Sequence, residues 1–407
     1  MMKVLGIIAE YNPFHKGHLY HVNASKKLVN PDYTVCIMSG NFMQRGEPAI
    51  VNKWDRAEMA IKNGIDLVLE LPFIYACNNA SYFAKGGVKI LDGLGVVTHL
   101  SFGSEDGNLE TLQTIAQLLS AESPAFKKAL RQNSDLGMSF AKARGHAVAT
   151  CLGEAYSNDI NTPNHILAIE YLKQLNVQGS PIIPVTVKRK GDGYKEETLN
   201  PANPLASATA IRKFLLENQD VGDFIPQNTA AILKDKPFVC LEDFWQLLQY
   251  KIRTLSSEEL NFLFSATEGL GNRIKNLAGN PNATNVSAFV RLIKSKRYPT
   301  TRIQRLLIHI LFNLTKDEFE FIEGQNSIYG RVLGFNEKGA TLLKMIKKEK
   351  WASIPILTNI NKQALPNPAL ETMLHYDCMA SDIYHLVGKR SVYENSDQVR
   401  KPFHMFL

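Results

Sequence analysis

Val4-Leu5-Gly6-Ile7-Ile8-Ala9-Glu10-Tyr11-Asn12-Pro13-Phe14-His15-Lys16-Gly17-His18-Leu19-Tyr20-His21 is the stretch from which the rest of the chain can be read. Its first six residues form an apolar run closed by a polar, proline-containing turn. That pattern predicts a strand buried on both faces of a parallel sheet. A helix is predicted to follow from about Gly17 to Leu28. In open α/β sheets, ligands sit beyond the carboxyl ends of the strands. A helix that begins there presents unpaired N–H groups and the positive end of its dipole to an anion. His15 and His18 are three residues apart, so both imidazoles share one face of the first turn. Gly17 has no side chain to hold a phosphate off the backbone. Two imidazoles so placed could donate to phosphate oxygens as charge shifts at an α-phosphorus. The bland alternative is two surface histidines meeting by chance, and the strand before and helix after them count against it.

Outward from this stretch, strand and helix patterns alternate. Strands are predicted over Tyr33–Met38, Asp66–Leu71, Val96–Phe102 (with Gly103 just after it) and Ile182–Val187. Helices are predicted over Lys53–Asn63, Ser81–Leu94, Leu109–Leu119, Phe126–Arg131, Asn164–Leu175 and Ser207–Glu217. This alternation argues for βαβ units and a doubly wound sheet. Lys190 to Ala206 is rich in Gly, Asn and Pro and reads as a functional loop. After Glu217 the period turns helical through Leu314. From Tyr329 it becomes mixed again, with strands over Arg331–Phe335 and Ile354–Thr358 about a helix at Gly339–Lys348. The expected organisation is an α/β domain over 1–217, a mainly helical region over 218–328 and a small α/β C-terminal region over 329–407.

The 407 residues exceed what one core holds, since cores divide beyond roughly 250–300 residues. With 45% hydrophobic and 21% charged residues the composition is that of an ordinary globular protein. A net charge of +7 permits a polyanionic partner without requiring one. The five cysteines are scattered, with no CxxC or zinc-knuckle spacing, which fits free thiols in a reducing cytoplasm. No run approaches the ~20 apolar residues that span a bilayer, so no membrane role is expected. A GxSxG elbow is absent, and no cysteine carries a paired histidine motif, so triad chemistry finds no support.

HxGH after the first strand is the signature of the Rossmann-like nucleotidyltransferase superfamily. The longer string Ile8 to His21 resembles one member family, the bacterial tRNA(Met) cytidine acetate ligases. So do Ser39-Gly-Asn41-Phe-Met-Gln44-Arg45-Gly-Glu-Pro-Ala-Ile50, Lys53-Trp54 and Arg56-Ala-Glu-Met59. The resemblance implies two steps: ATP and acetate give acetyl-adenylate and pyrophosphate, and the acetyl group then passes to N4 of the wobble cytidine of elongator tRNA(Met). Magnesium is the expected companion of the ATP.

Ser207-Ala-Thr209-Ala-Ile-Arg212 resembles the superfamily's second motif. Ser207 and Thr209 would then meet phosphate at a helix start, and Arg212 would join His15 and His18 in stabilising the reacting phosphates. Read alone, the segment is equally a plain N-cap with a solvated arginine. The family pattern also makes Gly103, Asn164 and Arg189 nucleotide contacts, so that the whole string 8–21 and these residues form the ATP site. Asn41, Gln44, Arg45, Lys53 and Arg56 follow the second strand and are candidates for acetate or RNA phosphate, because a carboxylate needs a cation or amide donors. In the helical region Lys296, Arg297, Arg302 and Arg305 stand near Tyr298, a basic stripe with an aromatic that suits an RNA backbone. A second basic run, Lys344 to Lys350, offers the same. Solvated helix faces are the bland alternative for both.

Two other functions fit parts of the pattern. A small-molecule adenylyl- or cytidylyltransferase would need only the first domain, and the ~190 residues beyond it favour a macromolecular substrate. A catalytically idle RNA-binding protein would not need His15, Gly17, His18 and Arg212 intact.

Overall fold

The run Val4–Ala9 forms β1 inside the sheet, between two paired strands, with Val4, Leu5 and Ile7 fully buried. The computed structural model describes residues 2–138, 140–156, 160, 162–190, 199, 203–362, 365–388 and 391–406. Most of the loop expected between Lys190 and Ala206 therefore lies outside the described residues.

Around β1 stand β2 (Tyr33–Ser39), β3 (Leu67–Leu71), β4 (His99–Ser104) and β5 (Ile183–Lys188), all parallel, in the order β5-β4-β1-β2-β3. The order reverses between β1 and β4, so the adjoining connections diverge to opposite sides and leave a crevice at the strands' carboxyl ends. The predicted strand at 96–102 starts later than expected. Val96 and Val97 are buried but unpaired, and pairing with β1 begins at His99 opposite Leu5. An apolar run reports burial rather than pairing, and Gly103 accordingly falls inside β4.

The sheet does not end with the first 217 residues. β6 (Gly330–Asn336) pairs antiparallel with β3, and both β7 (Ile356–Leu357) and β8 (Phe403–Met405) pair parallel with β6. The C-terminal segment thus extends the N-terminal sheet. A buried charge cluster joins them: Lys53 Nζ lies 2.7 Å from both Glu70 and Asp397, and Arg331 Nη1 lies 2.6 Å from Asp397.

The helices between 227 and 324 pack on the β2–β3 side through an aromatic cluster. Phe42 meets Phe312 with ring centroids 5.2 Å apart and Phe244 at 5.7 Å, and Phe73 meets Phe312 at 4.8 Å. This docking carries the Thr300–Phe312 helix onto the rim of the crevice. All five cysteines are free. Among the described residues no helix is long and apolar enough to cross a membrane.

Candidate active site

His15 is the N-cap of the Lys16–Val29 helix. Its Nδ1 accepts the Gly17 N–H at 3.0 Å, and His18 Nδ1 accepts the His15 N–H at 3.3 Å. Two of the helix's unpaired N-terminal donors are thereby satisfied reciprocally, as in a capping box. The rings stack with centroids 3.7 Å apart. A ring nitrogen that accepts carries no proton, so each neutral imidazole holds its proton on Nε2. Neutrality is enforced by the surroundings. Burial, then the Arg189 and Arg212 guanidiniums, pull the His15 pKa down to about 3. Burial, then His15 and Arg189, hold His18 well below the usual histidine range. Behind them His21 lies 3.3 Å from the Ser101 hydroxyl, and burial with Arg189 lowers it to about 4. The helix start therefore carries two neutral imidazoles, and a His18 ring nitrogen also donates to the Pro13 carbonyl.

Gly17 acquires a second reason to be glycine. A Cβ there would stand 2.7 Å from His15 Cε1 and 2.9 Å from Nδ1. The imidazole must fold over residue 17 to cap the helix, so the missing side chain makes room for His15 itself.

These groups face a cavity of about 520 Å³ at the carboxyl ends of β1 and β4. From the 8–21 string it is lined by Ile8, Ala9, Glu10, Tyr11, Asn12, His15, Gly17, His18, Tyr20 and His21. Pro13, Phe14, Lys16 and Leu19 are not among the lining residues. Phe14 is fully buried against Tyr11, with centroids 4.7 Å apart, and Leu19 packs on the same core. Successive helix side chains point about 100° apart, so the side chains of the string divide between the core and the cavity.

Across the cavity stands the Ala208–Leu216 helix. Ser207 caps it, its hydroxyl accepting the Ala210 N–H at 3.1 Å, and also lines the cavity. Arg212 donates to the Asn12 carbonyl at 3.0 Å and lies 3.5 Å from Glu47. Thr209 is not part of the lining. Its hydroxyl lies 3.5 Å from Arg212 Nη2. At the other end Arg189 Nη1 donates to Asn164 Oδ1 at 2.6 Å, and Asn164 Nδ2 donates to Glu105 at 2.8 Å. A Cβ on Gly103 would come within 3.2 Å of Arg189 Cγ, so the glycine lets that side chain cross the strand.

Of the five candidates after β2, Gln44 and Arg45 line the cavity, and the Gln44 N–H donates to Glu10 at 2.7 Å. Burial pushes the Glu10 carboxyl above its ordinary range, opposed by that amide and by Arg212 and Arg45. The other three are structural. Asn41 binds the Lys53 N–H at 2.7 Å and Ser381 at 3.2 Å. Lys53 is consumed by Glu70 and Asp397. Arg56 is 0% exposed and donates to the carbonyls of Glu10, Ser39, Gly40 and Val51. A cation on a helix following a strand looks the same in sequence whether it turns outward or closes a loop.

The basic stripe also divides. Lys296 is exposed, and Arg297 remains 65% exposed at 3.8 Å from Glu268. Arg302 is committed to Glu268 and Thr267, each at 2.6 Å, and lies over the buried Tyr298 ring. Arg305 points into the cavity instead of outward. One helix carries both residues, and the turn between them separates a surface role from a site role.

Met43, Glu47, Phe83, Tyr171 and Thr301 also line the cavity and were not anticipated. Phe83 and Tyr171 are apolar positions of helices and give no signal that separates them from core. Glu47 follows Gly46, whose φ of +79° marks a tight turn, the one cue that was readable.

A profile of the HIGH nucleotidyl transferases matches residues 2–399. The tRNA(Met) cytidine acetate ligase of Thermoanaerobacter sp. strain X514 is 46% identical over 96% of this chain and 96% of its own length. The one of Acetivibrio thermocellus is 39% identical over 98% of each. Among solved structures, apo TmcAL of Thermotoga maritima superposes with a TM-score of 0.93 at 34% identity over the whole of both chains. The same protein bound with alpha-thio ATP superposes with a TM-score of 0.90. With these matches running end to end through the HKGH cleft, the chain belongs to the tRNA(Met) cytidine acetate ligase family of the HIGH nucleotidyl transferases.

Proposed function

We propose that this protein activates acetate with ATP and transfers the acetyl group to N4 of the wobble cytidine of elongator tRNA(Met). The observation that carries the reading is the stacked His15–His18 pair, both rings held neutral with Nδ1 occupied by backbone donors. Such a pair is preorganised to donate to a phosphate whose charge grows during reaction, with no reorganisation at that moment.

The adenosine would lie toward Gly103, Asn164 and Arg189, and the β- and γ-phosphates toward Ser207 and Arg212. An acetate oxygen attacks the α-phosphorus in line, the bond to pyrophosphate breaks, and acetyl-adenylate remains in the cleft. The cytidine N4 then attacks the acetyl carbonyl carbon, the bond to AMP breaks, and N4 loses a proton. No enzyme side chain forms a covalent intermediate. Among the described residues no cluster of three or more carboxylate, imidazole or thiolate ligands could hold a metal, so a magnesium ion would arrive with the triphosphate as part of the substrate. Segment 1–217 carries the histidine pair and the nucleotide contacts in this reading. Segment 218–328 grips the RNA through exposed cations such as Lys296 and Arg297, and 329–407 completes the sheet. A tRNA substrate sets the work in the cytoplasm.

The test is to mix protein, ATP, acetate and unmodified tRNA(Met), then digest the tRNA and weigh its nucleosides. The expected result is N4-acetylcytidine with stoichiometric AMP and pyrophosphate. Release of ADP would mean attack at the γ-phosphorus and would sink the reading. Acetate-independent ATP turnover would favour a small-molecule adenylyltransferase.

A further inference from the structure

Among the described residues the cavity is lined by five cations, and four have evident employment. Arg189 holds Asn164, and Lys190 lies over the Tyr20 ring at the same end. Arg212 bridges Asn12 and Glu47 at the phosphate end, and Arg45 acts on Glu10. The fifth, Arg305, comes from the helical segment. Its hydrogen bond is to the Gln44 carbonyl at 3.3 Å, and among the described residues it forms no ion pair. Burial lowers its pKa, Cys77 opposes that, and the neighbouring cations Arg302 and Arg45 add to it. A guanidinium presents five donors, and one neutral carbonyl leaves most of them without a counter-charge.

Its position is set by backbone, not by a flexible stem. A Cβ on Gly46 would stand 2.3 Å from the Arg305 nitrogen, so the turn after β2 rests directly on the Thr300–Phe312 helix. Farther along the same helix His309 binds the Cys77 carbonyl at 2.9 Å, which pins it beside the start of the Ala80–Gly93 helix. Arg305 is thereby brought beside Gln44, in a cavity whose lining also includes Met43 and Phe83. The lining there combines a cation that has no carboxylate partner among the described residues with the apolar side chains of Met43 and Phe83. It also carries two carboxylates, Glu10 and Glu47, which would repel an anionic reactant left without a cation of its own.

We propose that Arg305 binds the carboxylate of the acid co-substrate, with Met43 and Phe83 accommodating its methyl group, so that the helical segment supplies part of the adenylation site. This rests on the acetate-activating function proposed above. Charge-assisted guanidinium–carboxylate bonds are the strong ones, and lysine cannot reproduce the two-pronged fork.

The experiment is acetate-dependent exchange of labelled pyrophosphate into ATP, run on the full chain without tRNA. Arg305→Lys and Arg305→Gln should each raise the KM for acetate by about tenfold or more. The KM and directly measured Kd for ATP should stay within about twofold of the parent. Arg305→Lys preserves charge and stem, so it reports the fork even if Arg305→Gln folds poorly. An unchanged acetate KM with a raised KM for tRNA would make Arg305 an RNA contact and overturn the proposal. A parallel rise for ATP and acetate would make it a phosphate contact and overturn it equally. Absence of acetate-dependent exchange in the parent protein would instead strike the function on which the proposal rests.

Discussion

Replacing His15 by Asn separates two jobs that one imidazole performs. The ring accepts the Gly17 N–H through Nδ1 at 3.0 Å and presents its Nε2 proton to the cavity. Asparagine is among the best N-cap residues, and its shorter side-chain oxygen can take the same backbone donor. It cannot also reach where Nε2 stands. His15→Asn should therefore keep the helix start and the unfolding free energy to within about 0.5 kcal/mol, while losing one preorganised donor to the transition state. Removal of one such donor costs about 2.7–4 kcal/mol of barrier, a 10²–10³-fold fall in turnover. His15→Ala loses the donor and the cap, adding about 0.5–2 kcal/mol of destabilisation. The assays are acetate-dependent pyrophosphate release at saturating ATP, calorimetric titration of ATP, and chemical denaturation. The reasoning requires the asparagine variant to bind ATP within a fewfold of the parent, to unfold like it, and to be slow. Wild-type turnover in that variant, or a loss wholly in ATP affinity, would refute it.

Gly17→Ala should fall in turnover nearly as far as His15→Asn, because its Cβ would come 2.7 Å from the His15 ring and swing the imidazole away. Steady-state rates near the parent's would show that the ring has slack. In the ATP-free protein, stability should decline as pH drops below the unfolded histidine value of about 6.5. The folded values of His15 and His21 lie near 3 and 4, so the unfolded chain binds the extra protons between those limits. Stability is then fully present above 6.5 and lost toward 3, at up to about 1.4 kcal/mol per pH unit for each histidine, which denaturant midpoints measured from pH 7 to 4 would read. Lys296→Ala with Arg297→Ala should leave pyrophosphate exchange intact and weaken tRNA acetylation, each lost phosphate contact reducing the slope of log affinity against log salt by about 0.7–0.9. An unchanged slope would move the RNA surface elsewhere, the Lys344–Lys350 run first.

The parts of the molecule that were legible in sequence are those whose signal is local. The β1 run, the helix opening at Gly17 and the Ser207 cap each occupy a few consecutive residues, and backbone geometry follows from them directly. That these five strands run parallel follows from the same alternation, but their order does not. What could not be read was direction and distance. Phe14 and His15 are adjacent, yet one fills the core and the other the cavity, because the turn between strand and helix rotates the chain by an amount no pattern states. Arg56 carries the charge of a surface residue, but four backbone carbonyls of a closing loop converge on it. Lys53 finds its partner in Asp397, 344 residues away. Periodicity cannot foresee such a pairing, nor that β6 to β8 join the first sheet.

The placement of the Thr300–Phe312 helix has a consequence for how two reactions share one cleft. Thr301 and Arg305 line the cavity one turn apart, while the exposed Lys296 and Arg297 precede the same helix by only a few residues. At 1.5 Å per helical residue, Arg305 stands about 7.5 Å along the helix from Thr300, and the two exposed cations lie in the non-helical segment just before it. A tRNA backbone held at those cations would bring a splayed wobble base to the mouth of the cavity, since a stacked base cannot present its N4 to an acyl phosphate. Activation and transfer would then be coordinated by a rigid element, not by a travelling intermediate. On this arrangement acetyl-adenylate need not leave the cleft, and water is kept from it by the same helix that delivers its acceptor. A variant that loosens the contact between Gly46 and the Arg305 backbone, such as Gly46→Ala, should accordingly uncouple the steps. Its φ of +79° and its 2.3 Å approach leave no room for a Cβ, so the turn and the helix must part. The expected result is acetate-dependent AMP release that exceeds acetylated cytidine, as acetyl-adenylate is lost to hydrolysis. One AMP per acetylcytidine in that variant would show that the helix seals nothing.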